Sequence, residues 1–314
     1  MGTVHQQPTT ATPGDGDHPI VRSDIILIPA YNRKVITLGT LGIIEKQGVL
    51  SWATALVIDD GSSDGTSDAI RISYPSVKLL IGDGNWWWCG AIRRGMEWAL
   101  AHGAERIYWL NDDCHPPPGA LEGLRDMVRG SEGVGWVDAM TQGGWSYGGH
   151  RKGIWRMRRC TELEERAGLI DTFSGNCVCI TRKWIERVGL PHDHLFPHGL
   201  GDLDYGLRLS AAGLTLRPLP GFVALNADPA QSSSESWLAS PQPMAAIWRN
   251  FYSPRSFLYF PAWRRFALRH WGPVWGWCVF VAPYARWVCI AVIRNAAPGI
   301  ARSIAKSRGG RHPR

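Results

Sequence analysis

Short apolar runs alternate with longer stretches of helical spacing over the first 110 residues. Asp24-Ile25-Ile26-Leu27-Ile28-Pro29 is the first run. Ala55-Leu56-Val57-Ile58 is the second and closes on Asp59-Asp60-Gly61. Val77 to Ile81 is the third, and Arg106 to Leu110 the fourth, closing on Asn111-Asp112-Asp113. Runs this short and this uniformly apolar predict strands buried on both faces. Between them the spacing predicts helices over 37–47, 63–73 (with Asp64 near the start) and 91–102. Further on it predicts a strand over 173–180, a short helix over 183–188 and a helix over 201–212. The Gly-, Trp- and Arg-rich stretch 130–159 resists assignment.

Strand and helix in alternation predict an α/β fold, a mostly parallel sheet with helices on both faces. Such sheets bind ligands beyond the carboxyl ends of their strands. Four polar clusters fall there: Ala30-Tyr31-Asn32-Arg33, Asp59-Asp60-Gly61, Gly82-Asp83-Gly84-Asn85 and Asn111-Asp112-Asp113. Their convergence on one edge says more than any one of them. Residues 1–22 read as a flexible leader without the apolar stretch of a secretory signal. Residues 23–235 read as the α/β domain, and 236–314 as a helical, membrane-associating region.

Charge sharpens that division. The chain of 314 residues carries a net +7, yet no Asp or Glu follows Glu235. Twelve of the 34 Lys and Arg lie in 236–314, leaving 22 against all 27 acids in the rest of the chain. A mildly acidic body with a basic end calls for an anionic partner, and a membrane surface fits better than nucleic acid because no recognition module is visible. Seven cysteines without a CxxC pair read as reduced core thiols. Cys177 and Cys179 sit in an apolar run and are read the same way.

Each candidate residue carries a functional and a plainer reading. Asp112 and Asp113 can hold one hard divalent cation with a diphosphate supplying further oxygens, or they can simply form a turn before Pro116. Asp60 can accept hydrogen bonds from a base or ribose, or cap a helix. Tyr31 can stack on a base, or fill a loop. Trp86-Trp87-Trp88 cannot all face one core, so at least one is expected to meet a ligand or partner. Asp202, in Gly201-Asp202-Leu203-Asp204, can take a proton from an attacking hydroxyl, with Arg208 one turn beyond Asp204 to pair with it. His192, His194 and His198 are too irregularly spaced to favour a metal site. The run after β-type residues 55–58 lacks the lysine and spacing of a phosphate-binding P-loop.

With Ile25 to Arg33, Val57 to Thr66, Trp109 to Asp113, Ser174-Gly175-Asn176 and Gly201 to Arg208 in this order, the chain resembles the family 2 glycosyltransferases of the GT-A fold, especially bacterial rhamnosyltransferase-like members, over roughly Ser23 to Asp228. The resemblance implies that Ala30, Tyr31 and Arg33 line a nucleotide pocket, that Asp60 contacts the base, and that Asp112 sits beside the ribose or diphosphate. It implies Asp113 as ligand of Mg²⁺ or Mn²⁺ and Asp202 as catalytic base of an inverting displacement. The implied substrates are a UDP- or dTDP-sugar, dTDP-rhamnose among them, and a lipid-linked or polysaccharide acceptor in cell-surface glycan synthesis. The chain departs from the family pattern at Asn111, at Gly201, and at Leu225-Asn226-Ala227-Asp228, where many members carry a histidine. The alternative is a non-catalytic nucleotide- or sugar-binding protein on the same scaffold.

In the basic region Trp248, Phe251, Tyr252, Phe257, Tyr259, Phe260, Trp263 and Phe266 interleave with Arg249, Arg255, Arg264, Arg265 and Arg269. Residues 271–293 approach the about 20 apolar residues of a spanning helix, but contain two prolines and Arg286, which would cost about 2.5–3.5 kcal/mol at mid-bilayer. Helices lying in the interface are expected, placing the protein in the cytoplasm on the inner face of the plasma membrane, with a spanning helix as second choice and an ordinary amphipathic subdomain packed on the catalytic body as the plainer reading.

Overall fold

In β1 (Asp24–Ala30), Ile26 and Ile28 turn to one face of a sheet and Ile25 and Leu27 to the other, and all four are fully buried. This explains the uninterrupted apolar run, since both faces are covered. In this computed structural model, residues 22–131, 133–141, 144–226, 244–256 and 258–296 are described. The following elements are α1 (Lys34–Lys46), β2 (Thr54–Asp59), α2 (Thr66–Ser73), β3 (Lys78–Ile81), α3 (Trp87–Ala101) and β4 (Arg106–Leu110). Then come β5 (Cys114–His115), α4 (Ala120–Ser131), β6 (Val134–Thr141), β7 (Gly144–Tyr147), β8 (Gly149–Lys152) and β9 (Met157–Arg159). They lead to α5 (Glu162–Arg166), β10 (Thr172–Phe173), β11 (Cys177–Thr181), α6 (Arg182–Val188), α7 (Gly201–Ala211) and β12 (Arg217–Asn226). The last three helices are α8 (Met244–Tyr252), α9 (Phe260–Trp271) and α10 (Pro273–Ala296).

Among the described residues, one large sheet runs β3-β2-β1-β4-β11-β6-β12-β5, with β7 paired to β6. The first four strands are parallel, as their alternation with helices requires. Beyond β4 the pairing is mixed: β11 is antiparallel to both β4 and β6, while β12 is parallel to β6. Helices α1, α2 and α4 cover one face through Leu41, Ile44, Ile70, Leu121 and Leu124. Helices α3, α6 and α7 cover the other through Ile92, Met96, Ile185, Tyr205 and Leu209.

The strand expected over 173–180 is two strands in two sheets. Thr172 and Phe173 join β8 and β9 in a small sheet, and 177–181 join the large one. The chain breaks at Ser174-Gly175-Asn176 because the Gly175 N–H turns to a side chain, Asp202, instead of a strand neighbour. β12 escaped the sequence reading because two prolines and a glycine interrupt it, and its register with β6 shifts between Pro218 and Val223. The unassigned stretch 130–159 supplies β6 to β9. All seven cysteines are free; Cys177 and Cys179 lie in the core, while Cys278 and Cys289 are exposed.

The basic region packs on the body. Phe266 and Ala262 of α9 bury against Phe196 and Leu200, and α8, α9 and α10 share a second core around Phe251, Phe280 and Tyr284. Among the described residues, no helix is long and apolar enough to cross a membrane, so the second-choice spanning helix over 271–293 is not found. Of the leader read over 1–22, residues 1–21 lie outside the described residues, as does the division at 235/236.

Candidate active site

The loops after β1, β2, β3 and β4 meet at the carboxyl edge of the parallel strands, the edge the sequence marked. Side chains tie the first two together. Asn32 Oδ1 accepts the Ser63 N–H at 2.7 Å, the Asn32 N–H reaches Ser62 Oγ at 2.7 Å, and Asp64 Oδ2 accepts the Lys34 N–H at 2.9 Å. Asp64 Oδ1 also accepts the Thr66 N–H at the start of α2, and the Thr66 hydroxyl holds its carboxyl below the usual range. Ala30 is buried, and its carbonyl accepts the Asp60 N–H at 2.9 Å.

Asp60 is buried and organises the loop after β3. Its Oδ1 accepts the N–H groups of Gly84 and Trp86 at 3.0 and 3.2 Å, and its Oδ2 that of Trp87 at 2.7 Å. It thus caps α3 from another loop, so the capping reading of Asp60 holds, although for a different helix than the adjacent one. A Cβ on Gly82 would stand 2.6 Å from Asp60 Oδ1, so only glycine lets this loop approach.

The acid pair lies beside it. Arg33 reaches Asp112 Oδ1 at 3.1 Å through one guanidinium nitrogen and Asp113 Oδ2 at 3.2 Å through another. Thr40 Oγ1 donates to the Asp112 carbonyl at 2.6 Å. Both carboxylates are buried. Asn111 Oδ1 accepts the indole N–H of Trp88 at 2.8 Å, and the Asn111 N–H reaches the Asn176 carbonyl at 2.9 Å. Asn176 Nδ2 in turn donates to Asn226 Oδ1 at 2.7 Å, leaving Asn176 Oδ1 and Asn226 Nδ2 buried without a hydrogen-bond partner among the described residues.

Asp202 joins the same assembly at the start of α7. Its Oδ2 accepts the Gly175 N–H at 2.8 Å and its Oδ1 the Leu203 N–H at 2.8 Å. A Cβ on Gly175 would touch Asp202, Trp109 and Trp88, each within 3.5 Å, so the carboxylate, the tryptophans and the 174–176 turn are in one place. Burial raises the Asp202 carboxyl above the usual range, against the two backbone donors that lower it. The described non-glycine residues with positive φ are Asn32, Trp87 and Leu200, at 51°, 51° and 71°. Each adjoins one of these loops, and strain of this kind is kept where the surroundings over-determine it.

All the sequence-derived residues, Ala30, Tyr31, Arg33, Asp60, Asp112, Asp113 and Asp202, fall on this edge. The sequence marked Trp86-Trp87-Trp88 only as a group in which at least one ring should meet a ligand or partner; all three are half-buried, and Trp88 bridges Asn111 and the Gly175 turn and packs edge-on against Trp109 at 5.8 Å. It also left Arg255 as one of the basic-region arginines with no link to this edge, whereas the Arg255 guanidinium lies 4.4 Å over the Tyr31 ring and donates to the Gly84 carbonyl at 3.4 Å. No local signal could reveal a contact so distant along the chain. His192 faces Asp204, and burial followed by the Arg255 charge lowers the titration of His198.

Among the described residues, no group of three or more His, Cys, Asp or Glu is placed to hold a metal. The Asp112–Asp113 pair offers two hard oxygen donors, which suits a Mg²⁺ or Mn²⁺ that draws its remaining oxygens from a diphosphate and water, and not a site built from protein alone.

The sequence profile of glycosyl transferase family 2 matches residues 25–189, just over half of the chain. No curated protein sequence matches it. Among solved structures, the mannosyltransferase PcManGT from Pyrobaculum calidifontis, in complex with GDP-Man and Mn²⁺, is similar with a TM-score of 0.53 and 16% identity, over 94% of this chain and 92% of that one. GalNAc-T7 with UDP, GalNAc and Mn²⁺ is similar with a TM-score of 0.54 and 15% identity, over 67% of this chain. The chain spans only 44% of that second structure. At these identities the likeness is one of fold, and it agrees with the α/β architecture of the GT-A type expected from sequence.

Proposed function

The chain belongs to glycosyl transferase family 2, and from that membership we propose that it moves a sugar from a nucleotide-sugar donor to a lipid-linked or polysaccharide acceptor, with inversion at the anomeric carbon. The observation that carries this reading is Asp202. Its carboxylate is fixed by two backbone N–H groups, partly buried, and assembled through Gly175, Asn176 and Asn111 with the acid pair.

The residues divide the work as follows. Tyr31, Arg33 and the Asp60-ordered loop bind the nucleotide. Asp113, with Asp112 beside it, would hold Mg²⁺ or Mn²⁺, whose charge offsets that of a departing diphosphate. The Mn²⁺ in both similar structures supports that choice. Asp202 accepts the proton of the acceptor hydroxyl as its oxygen bonds to the anomeric carbon. The bond from that carbon to the diphosphate oxygen breaks on the opposite side, and the nucleoside diphosphate leaves with the electron pair. Attack from the face opposite the leaving group inverts the configuration.

The donor proposed is a UDP- or dTDP-sugar, with dTDP-rhamnose included from the sequence resemblance. The setting proposed is cell-surface glycan synthesis at the cytoplasmic face of the plasma membrane, with the acid-free region 236–314 attracted to anionic lipid. The test is a panel of UDP-, dTDP- and GDP-sugars with Mn²⁺ or Mg²⁺, in which release of nucleoside diphosphate is followed with and without bacterial lipid extract. Metal-dependent release from one donor, absent in Asp202→Asn, is expected. Nucleotide binding without release from any donor would instead favour the non-catalytic scaffold.

A further inference from the structure

The β8–β9 hairpin ends in Ile154 and Trp155, which are 72% and 54% exposed, and α10 begins with Val274, 80% exposed. Isolated exposed apolar residues need no explanation, but these form one surface. The Trp155 and Trp275 rings lie 4.2 Å apart. The Trp275 indole donates to the Ile154 carbonyl at 2.7 Å, and that of Trp271 to the Gly153 carbonyl at 2.9 Å. The hairpin tip and the helix start are therefore fastened together, although more than a hundred residues separate them.

The surface continues along α10. Val274, Cys278, Val281, Ala285 and Cys289 recur at intervals of three or four and are exposed, while Val279, Phe280 and Tyr284 on the other side are buried in the core shared with α8 and α9. Trp277 extends the exposed face. Lys152 and Arg156 are exposed beside the hairpin tip, and residues 236–314 contain no acid.

We propose that this joint surface, the hairpin tip of the catalytic body together with the outer face of α10, is where the protein docks on an anionic phospholipid bilayer. The inference rests on the peripheral membrane reading above and goes beyond it by making a loop of the catalytic domain half of the contact. Tryptophan rings with one apolar side and one hydrogen-bonding edge partition to the headgroup level. A helix with one apolar face, flanked by cations, lies in that plane. The exposed cations Lys152 and Arg156 and the acid-free region 236–314 favour an anionic bilayer over a second copy of the chain, with Asp171 against the Lys152 backbone as the acid beside the tip. The placement also suits the acceptor. β10, in the same small sheet as the hairpin, runs directly into Ser174-Gly175, and Gly175 holds Asp202. The small sheet thus carries the lipid-facing tip at one end and leads at the other into the turn whose Gly175 N–H holds the candidate base on α7.

The test uses full-length protein and vesicles of phosphatidylcholine alone or mixed with phosphatidylglycerol. Cosedimentation gives the partitioning. Maleimide labelling of the native thiols reports the contact directly, because Cys278 and Cys289 are exposed and the other five are buried. The expected result is binding to the anionic vesicles, shielding of Cys278 there, and roughly tenfold weaker partitioning of the Ile154→Ser/Trp155→Ser variant, since interfacial binding scales with buried apolar area. Nucleotide binding by that variant should match the wild type, which shows that it folds. Wild-type binding that the variant retains in full, or that leaves Cys278 labelled at its free rate, overturns the joint surface alone. A wild-type dimer that the variant dissociates replaces lipid with a second copy. Failure of the wild type to bind any vesicle removes the membrane reading and this inference together.

Discussion

Asp60 Oδ2 accepts the backbone N–H of Trp87 at 2.7 Å, at the residue where the chain takes a left-handed step, φ 51°, into α3. One carboxylate therefore holds three N–H groups of the loop that follows β3 and fixes where Trp88 leaves it. In Asp60→Ala those donors lose their acceptor. The expected cost is about 1–3 kcal/mol in urea denaturation. Nucleotide affinity, measured by calorimetry, should fall by roughly tenfold or more as the loop loosens. Unchanged affinity in a destabilised variant would leave Asp60 a cap and nothing else.

Arg33 pairs with both members of the acid pair, so its removal sets two buried carboxylates side by side without that guanidinium. Arg33→Ala is expected to lower the melting temperature by several degrees, corresponding to about 1–3 kcal/mol. Added Mn²⁺ should recover more of the loss than added Na⁺ at equal ionic strength, and EDTA should reverse the recovery. A melting temperature indifferent to Mn²⁺ in both proteins would argue against Asp112 and Asp113 as cation ligands.

The raised titration of Asp202 gives the activity a sign with pH. A base works only when ionised, and burial shifts that ionisation above the ordinary 3.8. The rate at low substrate should therefore climb as pH rises through a value above 3.8, and be lost below it. Asp202→Asn should be inactive across the whole range. A flat acid limb, with the variant still active, would assign the base elsewhere.

Asp204 ties the C-terminal helices to α7. It is fully buried, with Arg269 Nε at 3.0 Å, His270 Nε2 at 2.9 Å, Arg208 Nε at 3.1 Å and His192 Nδ1 at 3.4 Å. Burial opposes its charge, but the His270 hydrogen bond and the charges of Arg208, His270 and Arg269 outweigh burial and lower its titration below 3.8. A carboxyl lowered in the folded state stabilises above the unfolded value, and that stability is lost as pH falls through the folded one. Asp204→Ala should cost about 3 kcal/mol by leaving buried cations unpaired, with the half-exposed Arg269 contributing least. Denaturation followed at neutral pH and again below pH 3.8 should show the difference shrinking in acid.

The four parallel strands β1 to β4, the loops at their ends and the identity of the acidic residues were legible in the sequence for local reasons, whereas β5 to β9 and β12 were not. Ile25 to Ile28 are apolar at every position because both faces are covered, and Asp60, Asp112 and Asp113 follow directly where strands end. Spacing along the chain carries that information. It carries none about which polar group meets which. Gly175 breaks a stretch that reads as one strand because its N–H is held by Asp202. Asp60 caps a helix on a different loop. Arg255, itself exposed, lies over Tyr31 and reaches Gly84, and Trp275 fastens to a hairpin whose own sequence predicted no element. In each case a hydrogen bond or ring contact is satisfied across space by a group remote along the chain. The sequence by itself determined the four buried parallel strands and placed the candidate chemistry at one sheet edge. Only tertiary packing decided the partners, because periodicity reports whether a residue is buried, whereas a directional contact depends on where two distant segments are brought together.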